Sequence, residues 1–172
     1  MPNNQLPESN NQRLKHNRSC HLRDRDLHFR TAIKLFRKIH RRMDQKLRTK
    51  TGKEELQELM SDLQYYLKKA MFHASLARVQ AANLKSEQDS SLEEQLISDF
   101  LLTFEAACYN IKYLISHCLQ LLKLEQDQAE RPTQFEHYLK KMISIDEESL
   151  RKLLAQLKRR ISFFNKTMKI QI

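Results

Sequence analysis

Residues 46–84 read KLRTKTGKEELQELMSDLQYYLKKAMFHASLARVQAANL and decide the fold. After the chain's single glycine, Gly52, apolar residues recur at three- and four-residue steps: Leu56, Leu59, Met60, Leu63, Tyr66, Leu67, Ala70, Met71, Ala74, Ala77, Ala81 and Leu84. That is the period of one helix face. Sustained for about thirty residues, it predicts a rod of about 45–50 Å at 1.5 Å per residue. Thr51-Gly52-Lys53-Glu54 reads as its capping box, the threonine hydroxyl accepting an N–H of the first turn while the glutamate reaches back to the cap. Gly52 is expected to take the left-handed backbone that ends the preceding helix.

That preceding helix shows in Leu22, Phe29, Ile33, Phe36, Ile39, Met43 and Leu47, and its other face carries Arg30, Lys34, Arg37, Lys38, Arg41, Arg42 and Arg48. Upstream, residues 1–21 are polar and basic without an apolar period, so a disordered arm is expected there. Residues 22–172 should form one helical-bundle domain. Beyond a polar break over 85–91, Ser91-Leu92-Glu93-Glu94 reads as a second capping box. The helix it opens should run to about Ala129, with Leu92, Leu96, Phe100, Phe104, Ala107, Ile111, Leu114, Ile115, Cys118 and Leu122 as its core stripe. Arg131-Pro132 stops it, and Thr133-Gln134-Phe135-Glu136 starts a fourth helical segment. A further S-x-x-E pattern, Ser144-Ile145-Asp146-Glu147, predicts that this segment bends or splits before its apolar run from Leu150 to Met168. The expected fold is all-α: an elongated antiparallel bundle of four long segments, with long helices of the coiled-coil kind.

Composition excludes most alternatives. An average chain of 172 residues holds about 12 glycines, whereas this one has a single glycine. Phosphate-binding loops, dinucleotide fingers and nucleophile elbows all require glycine at fixed places. The three cysteines, Cys20, Cys108 and Cys118, lack the spacing of a disulfide framework or a zinc site. The opening residues MPNNQLPESNNQ hold no apolar segment of a signal peptide. An intracellular protein is therefore expected, in the nucleus rather than the cytoplasm given its charge.

That charge is uneven. Residues 1–53 hold fifteen Lys/Arg against four acids, residues 54–148 nine against seventeen, and residues 149–172 seven against none. In an up-down-up-down bundle the first and last helices are neighbours, so Arg151, Lys158 and Arg159 should join the cations of the first helix in one face for a polyanion. The competing expectation is internal neutralisation by Glu55, Glu58, Asp62, Glu93 and Glu94. No aromatic residue interleaves the basic stripe as a base-stacking platform would require.

Catalytic and metal chemistry finds no foothold in the motifs. Glu-x-x-His and HExxH are absent, which argues against a di-iron bundle or a zinc protease. His16, Cys20, His21 and His28 fit no zinc spacing, and His73 and His117 each stand alone on their helix. Neither a cofactor, a metal nor a small-molecule substrate is expected. The third helix is apolar on more than one face, but Glu105, Asn110, Lys112 and His117 interrupt it, so a buried helix is expected rather than a membrane span. Its surplus residues Leu102, Tyr109, Tyr113 and Leu124 form a candidate interface for a helical partner or a second copy. The function expected is that of a non-enzymatic interaction or scaffold subunit of a larger complex that presents a basic face to a polyanion. The alternative is a chromatin-associated or RNA-binding protein that uses the basic arm and first helix on nucleic acid.

Overall fold

The computed structural model describes residues 5–83, 92–127 and 133–168. All of them but a short turn lie in four helices: α1 Gln5–Lys46, α2 Lys50–Asn83, α3 Leu92–Asp127 and α4 Thr133–Met168. No strand occurs among the described residues. Each helix packs against its chain neighbour, and α1 also meets α4, which closes an antiparallel four-helix bundle. The α1/α2 seam is the most extensive and the α1/α4 seam the loosest.

Helix α1 begins at Gln5, residues 1–4 lie outside the described residues, and the chain is helical over 10–21, so the expected arm is too long. Tertiary anchors explain the extension. Arg18 pairs with Glu94 of α3, and His21 meets His73 of α2. These contacts supply what the missing apolar period does not.

Lys46 ends α1, and Leu47 to Thr49 form the turn to α2. The cap sits two residues earlier than expected. Thr49 Oγ1 accepts the N–H of Gly52 at 2.9 Å, and its carbonyl accepts that of Lys53 at 3.1 Å. Thr49, not Thr51, is thus the N-cap. Gly52 lies in the first turn of α2 outside the left-handed region, and its role is close approach: a Cβ there would stand 2.2 Å from the Lys46 carbonyl oxygen. The starts of α3 and α4 at Leu92 and Thr133 fall where the other capping boxes place them, although Ser91 lies outside the described residues.

The core is one cluster along the bundle axis, with Phe29, Ile33, Phe36 and Ile39 of α1 against Leu56, Met60, Leu63 and Leu67 of α2. Phe29, Phe100 and Phe164 knit α1, α3 and α4: Phe29 meets both other rings edge-on at about 6 Å, and Phe100 stacks on Phe164 at 4.0 Å. The core stripe of α3 is rotated from the expected one. Ile97, Leu101, Phe104, Cys108, Ile111, Ile115, Cys118 and Leu121 are buried, while Leu92 and Leu96 are exposed. With apolar groups on several faces, the alternation of three and four from Ile97 to Cys118 wins because it keeps facing the bundle axis.

Helix α4 is continuous through Ser144–Glu147, so the expected split is not made. Its buried positions run Leu139, Ile143, Asp146, Leu150, Leu154, Leu157, Ile161 and Phe164. Asp146 occupies a core position of an unbroken stripe, and a carboxylate there imitates a break in the sequence.

Candidate functional site: a basic groove between α1 and α4

Helix α1 turns six cations outward because its apolar stripe claims the opposite face, and Arg48 follows in the turn after it. Arg30, Lys34, Arg37, Lys38, Arg41, Arg42 and Arg48 are all exposed. The tertiary structure sorts them. Lys34, Arg37 and Arg41 line a groove of about 630 Å³ with His40 and Phe36 of α1 and Lys158 of α4. Lys38, again with Lys34, faces a second groove shared with Asp62, Tyr65 and Tyr66 of α2. Arg30, Arg42 and Arg48 line neither.

On α4, Lys158 reaches the α1 groove. Arg159 is exposed on the same helix outside it, and Arg160 faces α3 beside Asn110. Arg151 is drawn off by Asp44, at 3.3 Å, and by Glu148. Internal neutralisation therefore operates at some of the expected places: Glu55 pairs with Lys46 and Glu94 with Arg18. Among the described residues, no carboxylate lies within ion-pairing distance of Lys34, Arg41 or Lys158. Arg41 Nε donates to the Arg37 carbonyl at 3.4 Å. His40, inside the groove, has its pKa lowered by burial and by Lys158, with Asp44 opposing. A neutral imidazole thus sits among fixed cations, and an incoming anion would raise its proton affinity.

Sequence reasoning missed two further polar clusters. In the first, Lys53 Nζ is buried, donates to the Leu47 carbonyl at 2.6 Å and pairs with Glu147 at 3.0 Å. One residue away, His117 Nδ1 lies 2.6 Å from Asp146 Oδ2. Together these tie the α1–α2 turn and α3 to α4. Cys118 lies beside them, and burial raises its thiol to about 11, with Lys53 opposing and Glu147 and Asp146 adding to the rise. A protonated, buried thiol is no nucleophile. His117, alone on its helix as expected, finds its partner on α4.

His73, likewise alone on α2, completes the second cluster with His21 and His28 of α1. The seven-residue spacing of His21 and His28 was the signal available, since it places both on one face. Among the described residues, no group of three or more His, Cys, Asp or Glu is arranged to hold a metal ion. None of the described helices is long and apolar enough to cross a membrane. Leu102, Tyr109, Tyr113 and Leu124 are exposed on α3. Comparison with known protein families, with curated proteins and with solved structures finds no match for this chain.

Proposed function

We propose that the chain is a non-enzymatic helical interaction subunit whose α1/α4 groove receives a phosphate-rich polyanion, with nucleic acid as the ligand class. One observation carries this reading: Lys34, Arg37 and Arg41 converge with Lys158 of another helix in one open groove. Like charges facing each other across a seam repel, and this seam is the loosest in the bundle. A bound anion would replace that repulsion with charge-assisted hydrogen bonds. Successive α1 cations at three- and four-residue steps rise about 5 Å each, a spacing that can follow a phosphate backbone. Phe36, the one Phe, Tyr or Trp among the lining residues, is buried, so the groove would hold backbone rather than read bases. Such a ligand implies action inside the cell, in the nucleus rather than the cytoplasm.

The test is the affinity of the full chain for duplex DNA and duplex RNA as a function of salt. Each phosphate neutralised adds about 0.9 to the slope of log affinity against log salt on B-DNA. Changing Arg37, Arg41 and Lys158 together to glutamine should lower that slope by about 2.7. Absence of binding at low salt would remove nucleic acid. A slope unchanged in the triple variant would remove the groove.

A second reading is assembly through α3, favoured by the exposed Leu102, Tyr109, Tyr113 and Leu124. Apolar surface of this kind marks interfaces when contiguous. Light scattering that finds a monomer at high concentration, joined to a failure to bind an apolar dye, would end it.

A further inference from the structure

His73 of α2 is wedged between two imidazoles of α1. Its Nδ1 lies 3.2 Å from Nδ1 of His21, and its ring is stacked on His28 with centroids 5.4 Å apart and planes 16° apart. Tyr66, two turns back on α2, covers the other side of the group by stacking on His28. The His21 and His73 centroids are also 5.4 Å apart. The two nitrogens therefore lie close to the line joining the rings, as in a hydrogen bond with one shared proton. That contact needs one ring to be an acceptor, and an imidazole accepts only when neutral.

We propose that His21, His28 and His73 form a proton-operated latch, which holds the first half of α1 on α2 while neutral and releases it when protonated. Protonating both His21 and His73 sets two N–H groups head to head at 3.2 Å. Protonating His28 puts a second cation against its stacked neighbour. The surroundings of His28 favour its neutral form: burial, His73 and Lys69 of α2 lower its pKa, and Asp24 of α1 opposes them.

The sign follows from linkage. A histidine kept neutral in the closed state binds fewer protons there than in the open state, so closure is favoured above the ordinary imidazole value near 6.5 and weakens as pH falls below it. The other anchor of this segment is Arg18 with Glu94 of α3, a pair that must also part when the segment is released. What remains along residues 10–21 is mostly exposed surface. Apolar packing resumes at Phe29, so the hinge of the release falls there.

Native-state hydrogen exchange of the full chain at pH 7.5 and 5.5, corrected for the intrinsic pH dependence of exchange, tests the latch. Protection over residues 12–27 should fall about tenfold at pH 5.5, while Phe104 to Cys118 of α3 keep theirs. The His73→Gln variant, neutral at both pH values, should lose the step. In the wild type, NMR titration of the histidine ring protons should show the change in step with exchange, a readout that stands even if the variant does not fold. Equal protection at both pH values would overturn the latch. So would a loss shared by all four helices, or a step that persists in the variant. If zinc at pH 7.5 tightens the segment and abolishes the step, a metal ion rather than a proton bridges the rings, which also overturns it.

Discussion

Replacing Gly52 with alanine inverts a general rule. In a helix interior, glycine to alanine stabilises by about 1 kcal/mol, because alanine loses less backbone freedom. Gly52 is helical and outside the left-handed region, so no dihedral strain cancels this gain. Space does. The added Cβ would stand 2.2 Å from the Lys46 carbonyl oxygen and 2.8 Å from Thr49 Oγ1, where contacts under 3.0 Å are not tolerated. The threonine can rotate only by giving up its cap bond to the Gly52 N–H. The carbonyl is backbone and cannot move alone. Relief requires the end of α1 and the start of α2 to part by most of an ångström, with Leu47 and Leu56, both fully buried, on either side. Overpacking of this kind costs about 1–3 kcal/mol or more, and loss of the cap adds about 1 kcal/mol. Against the propensity gain, the net is a destabilisation of about 1–3 kcal/mol. In a domain of this size each kcal/mol lowers Tm by about 2–4 °C. Urea unfolding followed by helical circular dichroism measures it. An alanine variant as stable as the wild type would refute the assignment of Gly52 to close approach and return it to the turn role that its position in the sequence suggests.

Lys53 is 2% exposed as a residue and its partner's side chain is 25% exposed, so the two halves of this pair should not be equivalent. Glu147→Leu strands a buried cation and should cost about 3–5 kcal/mol, whereas Lys53→Met leaves a carboxylate that water can reach and should cost less; urea unfolding of the two single variants checks the order. Cys108 and Cys118 are buried with raised thiol pKa values, so a thiol reagent at pH 8 should modify Cys20 in the native protein and reach the other two only with denaturation. Modification of all three at one rate would contradict the packing of α3.

Sequence alone determined the class and order of the elements. The apolar periods of α1 and α2 name nearly the same residues as the observed core, because an amphipathic helix with one polar face has a single way to turn. The outward display of the α1 cations follows from the same fact and is legible in the residue order of α1 itself. What the tertiary structure decided lies where the local signal was degenerate or false. The α3 stripe had several apolar faces to choose from, and only neighbours on both sides selected the one through Ile97 and Leu101. Asp146 imitated a helix break because a core carboxylate is recognisable only once His117 is seen against it. Residues 10–21 carry no apolar period, yet they are helical because Glu94 and His73, over fifty residues away in sequence, meet them. The grouping of Lys34, Arg37 and Arg41 with Lys158, and of His21 and His28 with His73, likewise depends on which helices pack side by side. Periodicity reports how one helix turns about its own axis. It does not carry the distance between side chains on different helices, and every polar cluster described in this protein is defined by that distance.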